Sequence, residues 1–331
     1  MEQITAQDAV STIPRFDQAQ WQRMNRFTAW LVAMRAGVLI MTLFSFLLGL
    51  IYAAQSGAVD WVNALLCMAG LCLAHGCNNL INDLVDFRKG LDTDNYFRNS
   101  YGPQLLVKGF MSEGRFVALT VLTGSLALAA GLALVWRTDL TVLYYLLAGA
   151  FFVLFYTWPL KYFGLGEPAV LLVWGPLMIG GTYYTLSGSQ PPTAILWLAC
   201  LYAIGPTAVL FGKHIDKLQQ DREKNVRTLP VLLGESLARQ TAGALLLGQM
   251  ALLIALSASG YFGYGYLLVA LMAPGLIGLL RVFANPYPQS RPEGSAGNHW
   301  PLHFVARTFA YNRWFSLLFF AGALLNLAMD W

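Results

Sequence analysis

The sequence predicts an all-α, polytopic membrane protein. Three observations carry this. Hydrophobic residues make up 57% of the 331 residues and charged ones 11%, with a mean hydropathy of +0.53; a soluble protein carries about 25% charged residues. The charges are unevenly placed and leave long uncharged stretches. Those stretches reach the length of about 20 predominantly apolar residues that a spanning helix needs.

Nine such stretches follow in order, at 30–53, 61–80, 116–136, 140–158, 166–187, 193–212, 239–258, 262–283 and 308–329. Only Arg137, Thr138 and Asp139 separate the third from the fourth, which predicts a tight hairpin. Residues 30–331 read as a single transmembrane domain. Residues 1–29 place Trp21 and Phe27 among Arg15, Arg23 and Arg26, with Trp30 directly after. That composition suits an interfacial segment leading into the first span, and equally an ordinary polar tail on the cytoplasmic side. The start, MEQITAQDAV, has no basic region ahead of a short apolar core, so no cleaved signal peptide is expected.

Lys and Arg set the expected orientation. With the N-terminus inside, the inner segments and the helix ends beside them hold 20 of the 21 basic residues, and the outer turns hold only Arg137. Nine spans then put the C-terminus outside, across a prokaryotic cytoplasmic (inner) membrane. The net charge of +4 reflects this topology, and no nucleic-acid partner is expected. Cys67, Cys72, Cys77 and Cys200 lie in or beside apolar segments and read as small buried hydrophobes. His299 and His303 are four apart, but Pro301 between them argues against a helical zinc pair.

Two acidic segments stand at the ends of apolar runs. The first is CNNLINDLVDFRKGLDTDN (Cys77–Asn95) and the second GKHIDKLQQDREKNVRTLP (Gly212–Pro230). Both fall on the expected cytoplasmic side, although Asp played no part in assigning it. Asn82 and Asp86 are four apart and share one helix face, while Asp83 faces elsewhere. Magnesium prefers oxygen ligands and is usually held by one or two carboxylates plus substrate phosphates. Asp216 and Asp221, followed by Arg222, Lys224 and Arg227, mix acids with cations, which suits a metal–diphosphate complex. A polar cap on each span is the alternative for either segment taken alone.

These segments resemble the UbiA superfamily of intramembrane prenyltransferases. The likeness runs from about Asn78 to Gly234 and includes YTWPLKYFGLGE (Tyr156–Glu167) and WGPLMIGGTYY (Trp174–Tyr184). NDLVDFRKGLDTD and LGEPAVLLVWGPLMIGGTYY are most similar to the branch that prenylates 1,4-dihydroxy-2-naphthoate in menaquinone biosynthesis. The resemblance implies nine helices around a central cavity open to the cytoplasm, with Mg2+, a polyprenyl diphosphate donor and an aromatic acceptor. It implies metal and diphosphate binding at Asn82 and Asp86 with Asp83 adjacent, and a second metal motif at Asp216 and Asp221. Lys161 and Tyr156 correspond to a diphosphate contact and its neighbour. Arg222, and more loosely Lys108 and Lys213, are further phosphate contacts. Asp86, Asp221, Lys161 and Tyr156 are the expected catalytic set. Tyr156, Trp158, Tyr183 and Tyr184 are candidates to face an allylic cation, and equally to act as interfacial anchors.

The sequence departs from the family pattern twice. Many members carry an aspartate eight residues after the first Asn, where this chain has Gly90 and its nearest acid is Asp92. The second motif is usually Asp-x-x-x-Asp, whereas Asp216 and Asp221 are five apart, roughly 140° around a regular helix. Either the helix ends or bulges between them, or only Asp221 keeps the role and Lys217 stands in for the first aspartate. Two other functions compete: a terpene cyclase or prenyltransferase on the same fold with another acceptor, and an organic-anion transporter.

Overall fold

The computed structural model describes residues 3–91, 104–291 and 300–329, and every regular element among them is helical. Three short helices lead in: α1 (Ala6–Ser11), α2 (Gln18–Arg23) and α3 (Arg26–Ala33). Thr5, Asp17 and Asn25 start them, each accepting a backbone N–H from three residues on and so satisfying a donor that a helix start leaves open. A 3-10 turn at Ala36–Val38 leads to α4 (Ile40–Ser56), followed by α5 (Trp61–Arg88), α6 (Glu113–Arg137) and α7 (Thr141–Phe155). A 3-10 segment, Leu160–Phe163, then enters α8 (Gly166–Leu172), a π-helical stretch at Val173–Gly180 and α9 (Gly181–Ser187), which form one rod. The rest is α10 (Thr193–Asp216), α11 (Leu218–Glu223), α12 (Leu229–Leu233), α13 (Glu235–Ala258), a 3-10 stretch Tyr264–Met272 running into α14 (Ala273–Ala284), and α15 (Phe304–Ala328).

Each expected span overlaps a helical rod. Seven of these rods are long and apolar enough to cross a membrane, against the nine expected. The other two are α7, apolar but only 15 residues long, and α15, whose 25 residues include Arg307 and Arg313. Two boundaries differ in ways that matter for the site. The first expected span is broken: Arg35 takes a left-handed conformation, φ 56°, between α3 and the turn that precedes α4. And α5 continues to Arg88 instead of ending near 80, because partners from elsewhere in the chain meet its terminal acids.

α10 is the central helix. It packs on α15, on α13 and on the π-helical stretch, and most of its residues from Leu198 onward are buried. Glycines bring these backbones close. A Cβ on Gly212 would stand 3.0 Å from the Val305 backbone, and one on Gly175 would stand 2.7 Å from the Ala199 carbonyl oxygen. In lipid such close approach replaces the hydrophobic drive between helices. Pro176 lies inside the π-helical stretch, and the hydroxyl of Ser45 on α4 donates to the Trp174 carbonyl at 2.9 Å. A neighbouring helix thus satisfies a backbone group beside a local irregularity. Tyr287 ties the near flank of the 284–307 connection to the bundle end: its N–H donates to Glu235 and its hydroxyl to the Pro301 carbonyl. Residues 292–299 of that connection, His299 included, lie outside the described residues, as do Asp92 and its neighbours.

Gly212→Val forces a branched side chain onto backbone that cannot rotate away. A loss of about 1–3 kcal/mol is expected, read as a lower thermal midpoint in detergent, whereas Gly248→Ala, where a Cβ meets nothing within 4 Å, leaves the midpoint unchanged.

Candidate active site

The last turns of α5 carry the first acidic segment, and each polar side chain there is matched to a different element. Asp86 accepts from the Lys161 ammonium at both oxygens, 2.8 and 3.0 Å. Both residues are buried, at 6% and 3% exposure. Lys161 belongs to the 3-10 segment after α7, so the pair fixes that connection to the end of α5. Asp83 pairs with Arg35, whose guanidinium also reaches the Asn79 carbonyl. The left-handed turn at Arg35 therefore delivers a cation to the next face of α5. Asn82 donates to the hydroxyl of Thr157 at 3.2 Å, Asn79 to the Met34 carbonyl and Asn78 to the Val153 carbonyl.

The second acidic segment breaks between its two aspartates. α10 ends at Asp216, Lys217 leaves helical geometry (φ −116°, ψ 18°), and α11 begins at Leu218. The two carboxylates consequently do different work. Asp216 accepts the backbone N–H groups of Phe304 (2.8 Å) and Val305 (2.9 Å) and so caps the start of α15. Asp216 and Asp221 thus do not share one helix face, and each oxygen of Asp216 accepts one of the donors that a helix start leaves open. Asp221 instead pairs with Lys217 at 2.9 Å, and both are buried. Lys217 and Asp221 have the four-residue spacing that Asp216 and Asp221 lack.

The two segments meet. Lys224, after α11, donates to the carbonyl of Gly90, after α5, so both lie at one end of the bundle. Tyr156 stands between them. Its carbonyl accepts the backbone N–H of Lys161 at 2.8 Å, and it lines the cavity. Beside it lies a buried pair that sequence reasoning missed: His214 Nδ1 is 2.6 Å from Glu167 Oε1. The Lys89 ammonium sits 3.4 Å from the centre of the Trp158 ring and 4.1 Å from that of Tyr162. Repulsion from Lys161, after desolvation, lowers its pKa, against the pull of Asp86.

A cavity of about 1330 Å³ runs from this end into the bundle. Asn82, Tyr156 and Lys213 line its near end, and Leu134, Val142 and Thr185 line it close to the turn at Arg137. Along α5 it extends from Asn82 to Cys67, about 22 Å at 1.5 Å per residue. Its wall is mostly apolar. Among the described lining residues the charged side chains are Arg15, Arg35, Lys213 and Arg313, with no carboxylate. Ser11 to Arg15 reach it from the N-terminal segment, where Gly37 lies against the backbone of Thr12.

Other expected residues fall elsewhere. Tyr184 donates to Asp139 and Tyr183 bonds Ser56, at the opposite end of the bundle from Asp86. They do not face the ion pairs. Trp158 is half exposed and offers its ring to Lys89. Arg222 and Lys108 are exposed, whereas Lys213 lines the cavity. A sequence signal existed for Arg35, the single charge inside the first apolar run. None existed for Thr157.

The profile of the UbiA prenyltransferase family matches residues 42–302. The chain belongs to that family. It is similar to the 1,4-dihydroxy-2-naphthoate octaprenyltransferase of Escherichia coli (strain K12), at 30% identity over 261 residues, 75% of this chain and 83% of the relative. In fold it is similar to the apo structure of a UbiA homolog from Aeropyrum pernix K1, with TM-score 0.63 and 20% identity over 87% of this chain and 98% of that one. A UbiA homolog from Archaeoglobus fulgidus, bound to GPP and Mg2+, gives TM-score 0.53 and 17% identity over 89% of this chain and 99% of that one. The protein is a UbiA-family prenyltransferase, an enzyme embedded in membrane. Arg15, Arg35 and Arg313, which line the cavity, lie outside the residues that the family profile matches.

Asp216→Ala leaves two buried N–H groups at the start of α15 without acceptors, at a cost of about 1–3 kcal/mol. The expected result is a lower thermal midpoint with unchanged Mn2+ affinity. A loss of Mn2+ affinity at unchanged stability would return Asp216 to the metal site.

Proposed function

We propose that this UbiA prenyltransferase transfers a polyprenyl group from its diphosphate to an aromatic acceptor, 1,4-dihydroxy-2-naphthoate, in a Mg2+-dependent reaction of menaquinone biosynthesis. One observation carries the reading: Asn82, Tyr156 and Lys213 line one end of a long, mostly apolar cavity, and the buried pairs Asp86–Lys161 and Asp83–Arg35 stand on the same turns of α5 as Asn82. A diphosphate headed by cations and followed by a hydrocarbon tail is the ligand shape that fits. Burial of the tail contributes about 0.8 kcal/mol per CH₂, so the wall needs few polar groups. The similarity to the Escherichia coli naphthoate enzyme supports the acceptor, and the ligands of the Archaeoglobus fulgidus homolog support the donor and the metal. A transport pathway would place its ionic groups near mid-membrane; here the buried pairs of the two acidic segments stand at one end of the bundle.

The donor set fits magnesium. Among the described residues no group of three or more His, Cys, Asp or Glu side chains could hold a metal by itself. Magnesium does not require one, because substrate phosphates complete its oxygen shell. Asn82 and Asp86 offer two oxygens on one face of α5. When bound there, the metal neutralises diphosphate charge and makes it a better leaving group.

This chain's own residues act around that centre. Lys161, held by Asp86, places a fixed ammonium where negative charge gathers on the departing diphosphate, an effect that a water-poor site strengthens. Tyr156 presents a hydroxyl and an aromatic face beside the reacting carbon; such a face stabilises a cation by about 0.5–2 kcal/mol. The C1–O bond breaks with its electron pair on the diphosphate. The acceptor ring carbon that bears the carboxylate then bonds to C1, and carbon dioxide leaves. The cavity wall keeps water from the allylic centre. The distribution of basic residues supports a mouth on the cytoplasmic side, with the N-terminus inside, the C-terminus outside and residues 30–331 as one transmembrane domain.

The purified protein with Mg2+, a polyprenyl diphosphate and 1,4-dihydroxy-2-naphthoate is expected to yield the decarboxylated prenyl product, detected by mass. Chelation of the metal abolishes product. Asp86→Asn lowers kcat by about 10²-fold or more, the scale of losing one transition-state contact, and lowers the thermal midpoint, because Lys161 loses its buried counter-charge. Near-full turnover in Asp86→Asn contradicts the assignment.

A further inference from the structure

We infer that His75 orients the aromatic acceptor, donating a hydrogen bond from its Nε2 to the ring hydroxyl oxygen beside the carbon that is prenylated. This rests on the reading of the protein as a transferase whose acceptor is an ortho-hydroxy aromatic carboxylate.

His75 lines the cavity from α5 and is itself buried, at 7% exposure. It lies seven residues before Asn82, with Asn79 between, so the three share one face of the helix. Seven residues place it about 10 Å below Asn82. The diphosphate head fills that interval, and His75 is level with the carbon that the acceptor ring must approach. α4 sets its orientation. The fully buried Thr42 stands with its hydroxyl 2.8 Å from His75 Nδ1. Three residues on, Ser45 holds the carbonyl of Trp174, whose ring crosses the imidazole at 89° with centroids 5.1 Å apart. One face of α4 thus fixes both rings.

The tautomer follows from the partners. The Thr42 hydroxyl makes no other hydrogen bond among the described residues, so its proton goes to Nδ1 and the ring proton sits on Nε2. Nε2 has no partner among the described residues and is open to the cavity. The neighbouring amides are committed, Asn79 to the Met34 carbonyl and Asn78 to the Val153 carbonyl. An N–H without an acceptor in a mostly apolar wall is a place for a ligand oxygen. In an ortho-hydroxy carboxylate the hydroxyl proton turns to the carboxylate, which leaves the lone pairs of the hydroxyl oxygen facing outward. That oxygen needs a donor, and Nε2–H supplies one. Bonded there, the acceptor presents its carboxylate-bearing carbon to C1 and keeps the carboxylate in apolar surroundings, from which carbon dioxide departs. No proton moves through His75.

The test uses the full-length protein in lipid nanodiscs with Mg2+ and geranyl thiolodiphosphate, whose bridging oxygen is replaced by sulfur so that it does not ionise and binding is read without turnover. Dissociation constants are measured for 1-hydroxy-2-naphthoate and 2-naphthoate, which differ only by the hydroxyl. The wild type is expected to bind the hydroxy acid more tightly by about fivefold or more, the scale of one hydrogen bond. In whichever of His75→Phe and His75→Leu folds, that ratio falls below about twofold, and His75→Gln, whose amide N–H stands in for Nε2–H, keeps it above about threefold. A loss of packing alone weakens both ligands equally and leaves the ratio as it was. A smaller wild-type ratio, a wild-type ratio retained in His75→Phe or His75→Leu, or a His75→Gln ratio as low as theirs overturns the inference. Should the wild type still prenylate 1,4-dihydroxy-2-naphthoate with its native donor, such a result removes the inference and leaves the reading of the acceptor intact. Absence of both binding and product removes both.

Discussion

Charge in a low-dielectric bundle has to be paired, and the pair of Asp86 with Lys161 is the one on which the site depends. Breaking a buried ion pair by removing one partner costs about 3–5 kcal/mol, so the two positions are mutually required. Asp86 lies at the end of α5, and Lys161 lies beyond α7. Their bond joins segments 75 residues apart and fixes the mouth of the cavity in one geometry. The same rule places Arg35 against Asp83 and Lys217 against Asp221. Each acid that the sequence offers as a ligand is thereby held in place before any ligand arrives, which is what preorganised electrostatic catalysis requires.

Below the mouth the logic changes. The cavity extends for about 22 Å along α5 with a mostly apolar wall, in which His75, Asn78 and Asn79 are polar exceptions on that helix. Gly131 lies against Leu146, and Gly181 against the ring of Tyr145. The Gly-rich run near residues 164–181 thus serves both ends that its composition allowed: Gly175 packs α10 against the π-helical stretch, and Gly181 lines the cavity. The hydroxyl-bearing aromatics at the far end, Tyr183 and Tyr184, bond to Ser56 and Asp139 and hold the opposite rim. The far end carries charge as well, since Arg137 pairs with Asp60 there, but the buried ion pairs of the two acidic segments stand at the other end.

Much of this was legible in the sequence. Runs of about 20 apolar residues located the rods, and the four-residue spacing of Asn82 and Asp86 put them on one face. The five-residue spacing of Asp216 and Asp221 signalled that a regular helix could not align them, and the break at Lys217 is the resolution. What the sequence withheld was tertiary. No local pattern says that Asp216 caps a helix starting 88 residues later, because a cap is recognised by its neighbours in sequence only when it lies on the same segment. Nor did the composition of residues 1–29 indicate that Ser11 to Arg15 would reach the cavity; that follows from the close approach of Thr12 to Gly37. Arg35 shows the intermediate case. A lone arginine in an apolar run announces a partner, but only the fold identifies Asp83.

The most direct examination is a structure of the protein with Mn2+ and a prenyl thiolodiphosphate, with the metal located by its anomalous signal. The account predicts a metal at ordinary oxygen-coordination distance, about 2.0–2.2 Å, from Asp86, and the diphosphate between it and the ammonium group of Lys161, with the tail directed toward Leu134. A metal held away from Asp86, or a diphosphate bound at the opposite end of the bundle, would contradict it.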